Sequence, residues 1–80
     1  MAKYSGRVRD PQALGQFLEQ ARVLHGLSQR ELAAKLGVSQ RYVWEMEAGE
    51  PTLWAKRLFA FMRQTGMTLS ATIDTEDEDE

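Results

Sequence analysis

Residues 29–46 read QRELAAKLGVSQRYVWEM, and this stretch decides the fold. Its apolar residues predict two short helices that cross at a steep angle over a tight turn. Ala33 is small at the position where the helices touch, and Gly37 permits the turn because glycine readily adopts a left-handed backbone conformation. The apolar positions expected to face the shared core are Leu32, Leu36, Val38, Val43 and Met46.

Capping signals place two helix starts before and within this stretch. Asp10 followed by Pro11 predicts the start of a first helix that ends near residues 25–26, since a carboxylate caps the helix and proline needs no amide partner in the first turn. Ser28 and Glu31 form a capping box for the second helix, because the hydroxyl and the carboxylate can each accept a hydrogen bond from a free amide. These signals are local and fix the start of both helices.

Two more helices follow. Ser39 caps a third, which ends at Ala48 and Gly49, and Thr52 caps a fourth. The fourth helix fits a helical period less cleanly than the others. Its expected inward positions are Leu53, Leu58, Phe61 and Met62, and two further aromatic residues, Trp54 and Phe59, require a partner surface.

Beyond Gly66 the apolar residues alternate with polar ones, which is typical of a strand. A lone strand must pair, either with residues 4–9 or with the same strand of a second chain. A small core without disulfides also favours oligomerisation. We therefore predict an all-α bundle of four to five helices with a short C-terminal strand that pairs across a homodimer. The dimerisation residues are Met67, Leu69, Ala71 and Ile73.

The expected organisation is an N-terminal arm or short strand over residues 1–9, a helical domain over 10–66, the dimerisation strand over 67–73 and a disordered acidic tail over 74–80. Residues 1–73 carry ten basic and six acidic side chains, a net charge of +4, whereas six of the last seven residues are acidic. The folded part is therefore mildly basic. The tail is expected to be solvated, or to dock on a basic surface.

Composition argues against several classes of function. Cysteine is absent and His25 is the single histidine, so we expect no zinc site of cysteine and histidine ligands, no other metal and no cofactor. No nucleophile, base and phosphate-binding loop are arranged by motif, so we expect no enzymatic activity. Apolar stretches are too short for a membrane span and no signal-peptide core is visible, so a cytoplasmic location is expected.

Together with GLSQ at residues 26–29 and EAG at residues 47–49, the central stretch resembles the Xre/Cro helix-turn-helix family, the lambda-repressor-like domains. The resemblance covers about residues 14–61. It implies binding to double-stranded operator DNA and a structural ion pair between Arg22 and Glu47. The alternative is a plain helical hairpin that serves only as a protein-interaction module.

The resemblance also implies which residues touch DNA. In this family the second helix points its N-terminus at a phosphate and the third lies in the major groove. Arg41 can donate two hydrogen bonds to guanine, Gln40 can form two with adenine, and Glu45 can accept one from the amino group of cytosine. The base-contacting positions are Ser39, Gln40, Arg41 and Glu45, and the phosphate-contacting positions are Gln29, Ser28 and Tyr42.

Trp44 departs from the family pattern, in which a small residue such as serine is usual at this position. A tryptophan here must either pack beneath the third helix or lie against sugar and a thymine methyl group. The sequence leaves both placements open.

The chain is also similar in architecture to the HipB-type antitoxins, in which four helices precede a short C-terminal strand. The features that carry this similarity are the short link GEPTL at residues 49–53 and the segment GMTLSAT at residues 66–72. The similarity implies a dimeric repressor and antitoxin that also binds a HipA-type serine/threonine kinase toxin. The alternative is a stand-alone Xre-type transcriptional regulator without a toxin partner.

Overall fold

The computed structural model describes residues 3–75 and contains four helices and two strands. The order along the chain is β1 (Lys3–Arg7), α1 (Pro11–Leu24), α2 (Gln29–Leu36), α3 (Gln40–Ala48), α4 (Leu53–Thr65) and β2 (Ser70–Asp74). The predicted helical bundle with a short C-terminal strand is confirmed. The N-terminal segment forms a strand rather than an arm.

Each of the four helices begins directly after its predicted capping residue. The carboxylate of Asp10 accepts a hydrogen bond from the amide of Ala13 at 2.8 Å, and both hydrogen bonds of the Ser28 and Glu31 capping box are present. Gly37 ends α2 with a φ of +73°, a left-handed conformation that β-carbon-bearing residues resist. Local hydrogen-bonding chemistry therefore fixes these boundaries.

Strands β1 and β2 form an antiparallel two-stranded sheet, with Lys3 opposite Asp74 and Arg7 opposite Ser70. The predicted start of the second strand at residue 67 is wrong. The amide of Met67 instead donates to the carbonyl of Met62 at 3.0 Å, which caps the end of α4 just beyond Gly66. Asp74, predicted to belong to the disordered tail, ends the strand, and residues 76–80 of that tail lie outside the described residues.

The main apolar core lies between the sheet, α1 and α4. Val8, Phe59 and Met62 are buried at its centre. Partly buried side chains surround them, namely Leu14, Phe17, Leu58, Leu69 and Ala71. Strand β2 therefore contributes to a core that is completed within one chain.

The residues predicted for dimerisation are mostly used inside the chain. Leu69 and Ala71 pack on the main core, and Ile73 is 7% exposed. Met67 alone among the four is largely exposed, and it lies outside the strand. Strand β2 pairs with β1 of the same chain, and α1 and α4 cover its apolar face, so the expectation that this face needs a second chain to cover it is wrong.

The helix-turn-helix side of the molecule is less completely covered. Ala33 and Val43 are buried, but Leu36 and Met46 are 55% and 41% exposed. The prediction that both of these longer side chains face a closed core is wrong. They line an open groove between α1, α2 and α3, and α4 contributes no residue to its walls.

The predicted inward face of α4 is confirmed in part. Met62 is buried and Leu58 packs partly buried on the core, as expected, and Phe59 is buried as well. Leu53 and Phe61, also expected to be inward, are instead 61% and 66% exposed. Trp54 is 73% exposed. The position of the sheet decides this orientation, because the buried face of α4 is the one that meets Val8 and β2.

Helix α1 packs closely against the end of α3 at Gly15. A β-carbon at this position would lie 2.4 Å from the carbonyl oxygen of Glu47 and 2.9 Å from the amide nitrogen of Gly49. Both neighbours are backbone atoms that cannot rotate away. Gly15 therefore sets the distance between α1 and α3.

We predict that Gly15→Ala destabilises the protein by about 1–2 kcal/mol, because overpacking against backbone outweighs the roughly 1 kcal/mol that alanine contributes as the better helix former. Urea unfolding followed by circular dichroism measures this. The exposed neighbour Gln16 provides the matched control, since Gln16→Ala keeps or slightly raises stability. A Gly15→Ala variant as stable as the control would contradict the close packing.

Candidate nucleic-acid interface

An ion pair joins α1 to the end of α3. Arg22 Nε lies 2.6 Å from Glu47 Oε2, and Arg22 Nη2 donates to Glu47 Oε1 at 3.0 Å. The third nitrogen of the guanidinium, Nη1, donates to the carbonyl of Leu27 at 2.8 Å. The structure thus brings the two predicted partners together and adds the loop between α1 and α2 to the same contact.

Both members of the pair are nearly buried, with side chains 11% and 6% exposed for Arg22 and Glu47. The hydrogen bond from Arg22 lowers the pKa of Glu47, against the opposing effect of burial, and the same bond raises the pKa of Arg22. Both groups are therefore charged at neutral pH. Removing one would leave the other charge buried without a partner, which is strongly destabilising.

Gln29 makes a second contact to the same carboxylate. Its Nε2 donates to Glu47 Oε1 at 3.0 Å, which ties the first residue of α2 to the end of α3. Because a side-chain amide has two N–H donors, one remains available for a phosphate oxygen. The sequence analysis missed this bond, since no spacing rule relates residues 29 and 47.

The predicted base-contacting side chains lie on the outer face of α3. Gln40 is exposed, and Arg41 Nε lies 3.2 Å from Glu45 Oε2 in a pair whose side chains are 80% and 39% exposed. An exposed pair four residues apart on a helix contributes only about 0.3–0.5 kcal/mol. Arg41 can therefore exchange Glu45 for a base edge at small cost.

Both candidate serines act as helix caps. Ser28 Oγ accepts from the amide of Glu31, and Ser39 Oγ accepts from the amide of Tyr42, each at 3.0 Å. A hydroxyl that accepts one bond still has a proton to donate. Both serines and the half-exposed Tyr42 are thus free to contact a phosphate or base oxygen near the start of α2 and α3.

Trp44 lies on the same outer face rather than beneath α3. Its side chain is 49% exposed, and it lines a shallow hollow of about 450 Å³ with Gln29, Gln40 and Arg41. Within residues 3–75 its indole N–H has no hydrogen-bond partner. The placement beneath the helix is therefore excluded, and the tryptophan lies next to the predicted base readers.

Helices α2 and α3 are joined by a turn at Gly37, and the exposed outer face of α3 lies beside the start of α2. This arrangement defines a helix-turn-helix domain. The family model described as "Helix-turn-helix" matches residues 18–71, and the chain belongs to this Xre/lambda-repressor-like family. The family is one of DNA-binding transcriptional regulators. Neither a curated protein nor a solved structure gives a significant match to the chain.

Among residues 3–75, the helices are too short or too polar to cross a membrane.

We predict that Glu47→Gln lowers stability at pH 7 by about 3 kcal/mol, because the charge of Arg22 then lacks its partner. The pKa of Glu47 is lowered in the folded state, so its ionised form stabilises the protein above the unfolded pKa of about 4.3. This contribution is lost as the pH falls through the folded-state pKa. Thermal unfolding from pH 7 to 3 should show the wild type and the variant converging in acid.

The matched control is Glu45→Gln, which removes the carboxylate of the exposed pair on the same helix. It should change stability by less than about 0.5 kcal/mol at pH 7. A gap between wild type and Glu47→Gln that stays constant down to pH 3 would contradict the role assigned to the carboxylate.

Proposed function

We propose that the protein is a sequence-specific transcriptional repressor that binds operator DNA as a homodimer, with α3 in the major groove. The observation that carries this proposal is the exposed face formed by Gln40, Arg41 and Trp44 beside Gln29. The bonds of Glu47 hold the two helices that form this face. Preorganised side chains on a rigid element are what sequence reading requires.

Each predicted base-contacting side chain can form hydrogen bonds of a different kind. The guanidinium of Arg41 can donate two parallel bonds to the N7 and O6 atoms of guanine, and the amide of Gln40 can pair with the N7 and N6 atoms of adenine. Once Arg41 leaves it, Glu45 can accept from the amino group of cytosine. The O–H of Ser39 at the start of the helix can donate to either purine.

The start of α2 supplies contacts to the DNA backbone. Unpaired amides and the helix dipole favour an anion at a helix N-terminus. Gln29, with its remaining N–H, and the hydroxyls of Ser28 and Tyr42 add side-chain donors. Contacts of this kind position the protein on DNA without selecting a sequence.

A two-fold dimer would place two recognition helices on successive major grooves, with half-sites about 34 Å apart or a multiple of that distance. Selection from a pool of random duplexes, followed by footprinting of the selected sequence, tests this. Protection of an inverted repeat is expected. Protection of one asymmetric site would contradict the symmetric arrangement, and no protection at all would favour a protein-interaction module.

The finer proposal is that this repressor is a HipB-type antitoxin, which acts in the cytoplasm and binds a HipA-type serine/threonine kinase toxin. Four helices followed by a C-terminal strand support it, and the family match extends to residue 71, inside that strand. Co-expression with a kinase encoded by an adjacent reading frame tests this, with co-purification expected. Without such a kinase, the stand-alone regulator is favoured.

We predict that Arg41→Ala relaxes sequence preference at one base pair of the selected operator and costs about 1–3 kcal/mol of binding free energy. Gln29→Ala should instead weaken binding to operator and random duplexes alike. Fluorescence anisotropy on both duplexes measures the two effects, and thermal unfolding of Gln29→Ala records the loss of its bond to Glu47. Equal losses on both duplexes for Arg41→Ala would remove it from the readers.

We predict that Trp44→Ser leaves the stability within about 0.5 kcal/mol of wild type, because the indole lies on the surface. Operator affinity should fall, since an apolar side chain on this face can contact the methyl group of thymine. Replacing single thymines of the operator by uracil, which lacks that methyl, should weaken wild type at one position and leave Trp44→Ser unaffected there. Equal sensitivity of both proteins would contradict the contact.

A further inference from the structure

Helix α4 carries two apolar faces, and the part of the chain that the structure describes covers only one of them. Phe59 and Met62 are buried against the sheet. A second row consists of Trp54 and Phe61, which lie seven residues apart on one side of the helix and are 73% and 66% exposed. Leu58 between them packs partly on the main core. A helix that is apolar on two sides is typically covered on both.

A second uncovered apolar surface within residues 3–75 is the open groove on the helix-turn-helix side. It has a volume of about 360 Å³ and lies between α1, α2 and α3, with Leu18, Leu32 and Val43 in its walls and Leu36 and Met46 largely exposed along it. Apolar surfaces of this kind mark interaction sites when they are larger than isolated side chains.

We propose that a second copy of this chain fills the groove with the exposed row of its α4, and that its own groove receives the row of the first copy. The proposal rests on the dimer of the proposed function and assigns its interface. The dimer contact is made by Trp54 and Phe61 of one copy against Leu36 and Met46 of the other. It is not made by the C-terminal strand, as the sequence predicted.

A second copy is favoured because the chain carries both complementary surfaces. Contacts that are exchanged reciprocally between two copies close into a two-fold dimer and leave neither surface unpaired. At roughly 200 Å² for an aromatic side chain, the exposed parts of Trp54 and Phe61 amount to about 560 Å² over two chains. Because an interface buries a similar area on each side, the total is about 1,100 Å², close to the lower bound for a stable interface.

The interface would also change the surroundings of the ion pair. Arg22 and Glu47 border the groove together with its apolar residues. An apolar row placed in the groove removes the remaining water from this side of the pair and strengthens the attraction between the two charges. Assembly and the geometry of the DNA-facing helices are thereby linked through one contact.

Two substitutions test the interface, one on each surface. Phe61→Lys and Leu36→Glu both replace exposed side chains, so each variant should keep the wild-type helix content by circular dichroism. Sedimentation equilibrium should show the dimer dissociation constant raised at least 100-fold in each. Met67→Glu is the matched control, since Met67 is 47% exposed and lies next to the sheet. It should remain dimeric.

Mixing the two variants gives the sharper result. A heterodimer of Phe61→Lys with Leu36→Glu contains one intact contact and one contact in which lysine meets glutamate, whereas each homodimer contains two damaged contacts. Native mass spectrometry should therefore show the heterodimer in large excess over both homodimers. If the α4 rows packed on each other instead, Leu36→Glu would remain dimeric, and this outcome would overturn the proposal.

The remaining outcomes separate the interface from DNA binding. A monomeric wild type, or a dimer that dissociates with Met67→Glu and not with Phe61→Lys, overturns the proposed interface even if footprinting shows operator binding. Variants that stay dimeric but fail to bind the kinase would assign the exposed row to that partner and would also overturn it. A wild-type dimer that dissociates as expected but protects no DNA supports the interface and contradicts the proposed function alone.

Discussion

The carboxylate of Glu47 is the group on which the geometry of the helix-turn-helix depends. Arg22 of α1 and Gln29 of α2 both donate to it, and Glu47 itself lies in the last turns of α3. One nearly buried anion therefore fixes three helices relative to one another. The close approach at Gly15 adds a steric limit at the same junction, where a side chain would meet the backbone of Glu47.

The molecule divides into two halves that are stabilised differently. Around the sheet, Val8, Phe59 and Met62 form a closed apolar core. Around α3, the buried apolar side chains within residues 3–75 are Ala33 and Val43, and polar contacts hold the helices over an open groove. The half that carries the proposed DNA-reading helix is thus the half that burial stabilises least, and covering the groove would add the missing burial.

The sequence was sufficient to predict the features of the fold and site that depend on neighbouring residues. The caps at Asp10 and Ser28 and the glycine ends of α2 and α3 are local, and the outer face of α3 follows from the helical period. It was insufficient where a feature depends on a distant partner. The burial of Phe59 rather than Phe61 depends on where the sheet lies, and the exposure of Leu36 follows because α4 does not line the groove. The bond from Gln29 to Glu47 joins residues with no local relation.

The antiparallel sheet has a consequence for the order of folding. It pairs Lys3 with Asp74, so its formation closes a loop of about 70 residues, and the entropy of that closure must be offset by contacts elsewhere. The helices and their caps involve short separations and form fast, whereas contacts between distant segments form late. During synthesis, the core around Val8 can therefore close only after β2 has been made, and until then the early strand has exposed edges.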